Sequence, residues 1–247
     1  MYRIVLDTET ANNQFENGKC IKNTALVYDF GFAVVDETAN IIEERSYVIK
    51  EVFFGESDLM QSAYYSNKIP IYLNDILQGK RIPLSFFEAK KEFYNLIEQY
   101  NITDIMAHNA WFDFGALNNT QKYITKSKYR YFFADNLCIL DTLRMAREIF
   151  GKDEKYAQWC KINNFVTKKS KPQLTAEVLY RYLKNNRNFQ ENHTGLEDVK
   201  IEKEIFAYCL QNGCSLTNIL DKYKNNYHYS MNTPLQNKIL KLAKNQK

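Results

Sequence analysis

Asp7-Thr8-Glu9 follows the apolar run Ile4 to Leu6. On a strand, residues i and i+2 share a face, so the two carboxylates stand side by side. Like charges that close repel unless a cation lies between them, and carboxylate oxygens suit Mg²⁺ or Mn²⁺. Taken alone, the pair reads equally well as a solvated strand end. A second group is Ala107-His108-Asn109-Ala110-Trp111-Phe112-Asp113, where a strand gives way to a helix. Asp113 there either complements the helix dipole or supplies a third carboxylate aimed at the strand ends. The third group, His193-Thr194-Gly195-Leu196-Glu197-Asp198, also spans a loop–helix junction. Of the three histidines, His108, His193 and His228, the first two each precede an aspartate by five residues.

Each group has a bland reading by itself, and the three together carry chemistry. Asp7, Glu9, Asp113 and Asp198 offer four carboxylates. A histidine offers a proton acceptor near neutral pH. Two divalent cations roughly 3.5–4 Å apart in such a cage promote in-line displacement at phosphorus. One lowers the pKa of a water, the histidine takes its proton, and the other stabilises the departing 3′ oxygen. Residue types and spacing leave His108 and His193 equal as candidates for the base.

The elements that must position these groups follow from periodicity. Residues 2–7, 26–36 and 41–49 read as strands, the last two as a hairpin. Residues 11–24 read as a polar loop, and residues 51–83 show no clear period, with Gly55, Pro70, Gly79 and Pro83 interrupting short apolar pieces. Ser85, with Glu88 three residues later, predicts a capping box opening a helix to about Tyr100. Further expectations are a strand over Asp104–Ala107, a helix over Phe112–Ile124, a strand over Leu137–Leu140 and a helix over Asp141–Phe150. Helices over Leu174–Leu183 and Leu196–Leu210 precede a polar, Lys-rich tail. Strands followed by alternating strands and helices imply an α/β domain with a mixed sheet. In such sheets the site lies at the carboxyl ends of strands, where Asp7 and His108 are expected.

Composition bounds the answer without naming it. The 247 residues carry 45% apolar residues and a net charge of +4, which excludes a disordered chain. With 8 Gly and 4 Pro it is not collagen-like or low-complexity. Five cysteines in odd number, without C-x-x-C spacing, argue against a disulfide framework or a cysteine zinc site. A signal peptide and a membrane span are both missing from the pattern, so the expectation is a cytoplasmic protein with no membrane partner. Lysines cluster at Lys161, Lys168, Lys169 and Lys171, and again at Lys122, Lys126 and Lys128 with Arg130. Such groups suit a nucleic-acid backbone, with a solvated face as the competing reading.

The motifs resemble those of the DEDDh branch of the DEDD exonuclease superfamily. That branch includes the proofreading epsilon subunit of bacterial replicative polymerase, ribonuclease T and phage exonucleases. Its D-x-E-T motif is matched by Asp7 to Thr10, its A-H-N-A-x-F-D motif by Ala107 to Asp113, and its H-x-x-L-x-D motif by His193 to Asp198. A family segment of the form I-x-D-T-L corresponds to Ile139 to Leu143. Order and spacing agree over roughly residues 2–212. The chain departs at Ala11-Asn12, where relatives often carry Thr-Gly, and at Val199, where a small residue is common.

The resemblance implies a ribonuclease H-like fold, a five-stranded mixed sheet flanked by helices. It implies a 3′→5′ exonuclease releasing 5′-monophosphates, with two Mg²⁺ ions, replaceable by Mn²⁺. Asp7, Glu9, Asp113 and Asp198 would hold the metal and His193 would be the base, with His108 supporting the turn before Asp113. Thr8, Thr10, Asn109 and Phe112 would meet the terminal nucleotide, and Asp141 would start a helix. Single-stranded DNA is the expected substrate, with a 3′→5′ exoribonuclease on small RNAs and a polymerase-associated binding module as alternatives. The expected organisation is an exonuclease domain over 1–214, an insertion near 55–83 and a basic tail over 215–247, a candidate polymerase contact. If phage-encoded, the protein would act in the host cytoplasm. Tyr64 or Tyr65 in the insertion is a candidate for stacking on single-stranded bases, against ordinary core packing.

Overall fold

The computed structural model describes residues 1–11, 15–16, 19–20, 24–61, 63, 66–128, 130–134, 137–216 and 219. Tyr64, Tyr65 and the tail beyond 219 therefore lie outside the described residues. The chain opens with β1 (Arg3–Ala11) and a short hairpin of β2 (Phe15–Glu16) and β3 (Lys19–Cys20). The antiparallel β4 (Leu26–Val35) and β5 (Ile41–Ile49) follow. Next come α1 (Lys50–Phe53), α2 (Ser57–Gln61), α3 (Ile69–Leu77), β6 (Ile82–Leu84) and α4 (Phe86–Gln99). The remaining elements are β7 (Asp104–Ala107), α5 (Trp111–Thr125), β8 (Cys138–Asp141), α6 (Thr142–Ile149), α7 (Glu154–Ile162), α8 (Ala176–Leu183) and α9 (Gly195–Gln211).

The main sheet has six strands in the order β6-β5-β4-β1-β7-β8. β7 and β8 run parallel to β1, and β6 runs parallel to β5. The expected mixed sheet is present, with one strand more than the five anticipated. The extra strand is β6, a three-residue edge strand from the stretch without a clear period. Pro83 falls within it, and proline is tolerated at an edge because only one side of the strand must donate.

β4 explains why the sheet has two covered faces. All ten of its residues are buried. Tyr28, Phe30, Phe32 and Val34 enter one core with Phe86 and Phe93 of α4 and Phe114 and Leu117 of α5. Ala33 and Val35 enter a second core with Met145, Leu179, Ile205 and Phe206 from α6, α8 and α9. Buried aromatic rings concentrate in the first core, where the Phe30 and Phe32 rings are 4.7 Å apart and those of Phe93 and Phe132 5.3 Å apart. α4 opens with the anticipated capping box: Ser85 Oγ accepts from Glu88 N–H, and Glu88 Oε2 accepts from Ser85 N–H.

Two expectations are corrected. β1 does not end at Asp7 but continues to Ala11, pairing Asp7 with Gly31 and Glu9 with Asp29, with a register shift only after Glu9. The acids therefore sit inside a hydrogen-bonded strand. Lys122 is not a solvated basic residue: it is buried, with its ammonium 4.4 Å from the Tyr131 ring centre. Among the described residues, no helix is long and apolar enough to cross a membrane.

Candidate metal and phosphate site

Strand alternation sorts the first motif. Ile4 and Leu6 belong to the α4/α5 core and Val5 to the α9 core. Asp7 and Glu9 thus face α9, and Thr8 faces α5. Asp113 in the first turn of α5 meets Thr8 from that side. Its Oδ1 accepts from the Thr8 N–H at 3.1 Å and the Thr8 hydroxyl at 2.7 Å. Thr8 is thus a brace for an acid. Thr10, lower on the same strand, does not line the cavity described below.

α9 brings the last motif. Its N-terminus crosses β4 with backbone against backbone: a Cβ on Gly31 would lie 2.1 Å from the Gly195 carbonyl carbon. That close approach sets Asp198, in the first turn of α9, over β1. One potential ligand atom each from Glu9, His193 and Asp198 lies within 4.8 Å of the others. His193 adopts a left-handed backbone, φ +49, as does Asn109 at φ +64. Asn and His are enriched there among non-glycine residues, so both motif turns use residues that accept the conformation.

The two histidines differ in what surrounds them. His108 is engaged at both ring nitrogens, Nδ1 with Thr142 Oγ1 at 3.0 Å and Nε2 with the Leu174 carbonyl at 2.8 Å. The His193 ring is about one-third exposed at 32%, with Nδ1 3.5 Å from Glu191 Oε2. Burial and then the Lys68 ammonium hold His193 below its ordinary pKa, so it is neutral near pH 7. Asp141 caps α6 by accepting from Leu143 N–H at 2.9 Å and also accepts from Asn109 N–H at 3.0 Å. The expected helix-starting role and the second motif's turn thus share one carboxylate.

Burial first, and neighbouring acids second, make the site's carboxylates hard to ionise. Burial and then the carboxylates of Asp113, Glu202, Asp198 and Glu9 push Asp7 well above the usual range. Glu9 is raised well above it by burial, Asp198 and Asp29, against the pull of Lys68. Burial lifts Asp113 to about 7 despite the Thr8 hydrogen bonds. Burial and Glu191 lift Asp198 to about 9. Asp198 Oδ1 is buried and meets no hydrogen-bond partner among the described residues. An orphaned oxygen amid crowded carboxylates fits a divalent cation.

Asp7, Glu9, Asp113, His193 and Asp198 all line one cavity of about 970 Å³, together with Thr8, Asn109 and Phe112. Lys168, Lys169 and Lys171 of the first basic cluster line the same cavity, while Lys161 does not. Four further groups went unnoticed in the sequence. Asp29, fully buried on β4, accepts through Oδ2 from Tyr72 at 2.6 Å, Arg81 at 3.0 Å and Gly195 N–H at 3.1 Å. Its signal was available: a carboxylate within the apolar run LVYDFGFAVV. Lys68 donates to the carbonyls of Asn192 and His193 from the segment without a clear period. Glu191 lies in the cavity wall beside His193. Glu202 stands one helical turn beyond Asp198.

No family model and no curated protein matches this chain. Solved structures do. A full-length 3′-exonuclease superposes with a TM-score of 0.56 at 13% identity, over 86% of this chain and 61% of that one. Exonuclease I of E. coli, in a zinc-bound complex with single-stranded DNA, gives 0.53 at 12%, over 88% and 42%. Cell-death related nuclease 4 gives 0.52 at 10%, over 86% and 64%. The chain therefore spans less than two-thirds of the length of each of these three. At these identities the likeness is one of fold, and the chain has the ribonuclease H-like α/β architecture on which these nucleases are built.

Proposed function

We propose that this protein is a metal-dependent 3′→5′ exonuclease of the DEDDh type, acting on single-stranded DNA and releasing 5′-monophosphates. The observation that carries the reading is the meeting of three motifs distant in sequence, Asp7/Glu9, Asp113 and His193/Asp198, in one cavity that Lys168, Lys169 and Lys171 also line. Asp7, Glu9, Asp113 and Asp198 would hold two Mg²⁺ ions, with Mn²⁺ as a substitute. When bound, such ions supply Lewis-acid stabilisation of charge at the phosphate. His193, neutral and close to Glu9 and Asp198, accepts the proton of the attacking water. Glu191, 3.5 Å from Nδ1, orients the ring and stabilises the imidazolium that forms. Asn109 and Phe112 contact the terminal nucleotide, and Lys168, Lys169 and Lys171 track the phosphates behind it.

DNA is favoured because a solved structure of similar fold, exonuclease I, is itself a complex with single-stranded DNA. The catalytic domain is taken as 1–214, with 215–247 a basic tail that extends the nucleic-acid surface or docks a polymerase. The test is an assay on 3′- and 5′-labelled DNA and RNA oligonucleotides with Mg²⁺, Mn²⁺ or EDTA. Stepwise shortening from an open 3′ end, stopped by a 3′ block and by EDTA, is expected. Cleavage of a circular single strand would overturn the exonuclease reading, and turnover in EDTA would overturn the metal mechanism. Faster turnover of RNA than DNA would make it an exoribonuclease.

A further inference from the structure

The four motif acids are not the whole acidic lining of the cavity. Glu202 is 2% exposed and lines the same cavity. It follows Asp198 by four residues on α9, so both project from one helix face. One of its oxygens accepts from the backbone N–H of His108. The other, Oε2, is buried and meets no hydrogen-bond partner among the described residues. Its neighbours are acids: Asp113, Asp198 and Glu191 act on its carboxylate, and it in turn raises Asp7.

A buried carboxylate oxygen with no donor is costly, and placing it against further acids raises that cost. If Glu202 served only to tie the His108 turn, a glutamine would do so without the charge. A carboxylate in that place makes physical sense when a cation faces it. We propose that Glu202 is a fifth carboxylate of the cation centre, supplying its unpaired oxygen to a divalent ion held in this cavity. This rests on reading the cavity as a metal site. α9 then supplies two ligands from successive turns, and the N–H of His108 fixes the orientation of the second. Metal affinity thereby becomes tied to the turn that opens α5 and sets Asp113.

The experiment is calorimetric titration of Mn²⁺ into the metal-free full chain without nucleic acid. Parent, Glu202→Gln, Glu202→Asp and Asp7→Asn are compared. Glu202→Gln keeps the shape and an oxygen for the His108 N–H. Glu202→Asp keeps the charge but withdraws the oxygen by one methylene, and serves if the amide variant does not fold. Expected is a loss of Mn²⁺ affinity of about 10–100-fold in the folded Glu202 variants. Glu202→Gln should also melt higher than the parent in EDTA, because a buried repulsion is gone. Unchanged Mn²⁺ affinity in the folded Glu202 variants, with affinity lost in Asp7→Asn, overturns the role of Glu202 alone. Unchanged affinity in all variants overturns the metal site itself.

Discussion

At the scale of single residues, the question the sequence left open was which histidine takes a proton. His108 has both nitrogens committed, one to a hydroxyl and one to a carbonyl. His193 stands partly open beside Glu9 and Asp198. His193→Ala is expected to lower kcat by about 10²–10⁴-fold while Mn²⁺ affinity falls far less. His108→Ala should act mainly through stability, read as a lower Tm. The reverse pattern would reassign the base. Identity and spacing revealed the acids because D-x-E places two carboxylates on one strand face. They could not separate the histidines, because both stand before a helix at equal distance from an aspartate. Asp29 and Glu202 escaped for a different reason: their importance lies in partners more than a hundred or nearly a hundred positions away, Gly195 and His108.

Elements carry the next level of control. Gly31 and Gly195 let α9 touch β4 backbone to backbone. Neither glycine sits at a positive φ, so the requirement is space. Gly31→Ala must push the start of α9 outward, and His193 and Asp198 move with it. Overpacking of this kind costs about 1–3 kcal/mol, and a displacement near 1 Å at a reacting centre costs about 100-fold in rate. A melt and a kcat measurement together check this, and a variant with parental kcat would show that α9 is free to shift. The segment without a clear period also acquires a task. Tyr72 and Arg81 both donate to Asp29, which in turn accepts from the first N–H of α9. Arg81→Ala leaves the Asp29 carboxylate buried beside one hydroxyl and one amide, a change worth about 3–5 kcal/mol. The Asp29→Asn/Arg81→Ala double variant should lose less than the two singles combined, as a double-mutant cycle measures. Turn residues and proline broke the periodicity of 51–83. Its ordering comes from these distant partners, which local pattern does not record.

For the whole molecule, the mild net charge of +4 is a sum of opposed regions. Acids are buried on β1 and in α5 and α9, and three lysines line the same cavity. Charge reversal at Lys168, Lys169 and Lys171 should raise KM for oligonucleotides and flatten its salt dependence, with smaller change in kcat at saturation. The buried acids also set how stability follows pH. Asp113 and Asp198 titrate near 7 and 9 in the fold against an ordinary 3.8. Between roughly pH 4 and 9 the native protein therefore holds more protons than the unfolded chain. Stability must then fall as pH rises. His108 and His193, both held below 6.5, act in the opposite sense on the acid side of that value. The fall should accordingly be clearest from pH 7 to 9. A cation that replaces those protons removes the penalty and adds about 2.7 kcal/mol at a hundredfold excess over Kd. Melting curves in EDTA should decline over that interval, and curves in Mg²⁺ or Mn²⁺ should lie higher and run flatter. A Tm that climbs from pH 7 to 9 in EDTA would mean that the acids ionise without mutual penalty, and the case for a cation between them would fail.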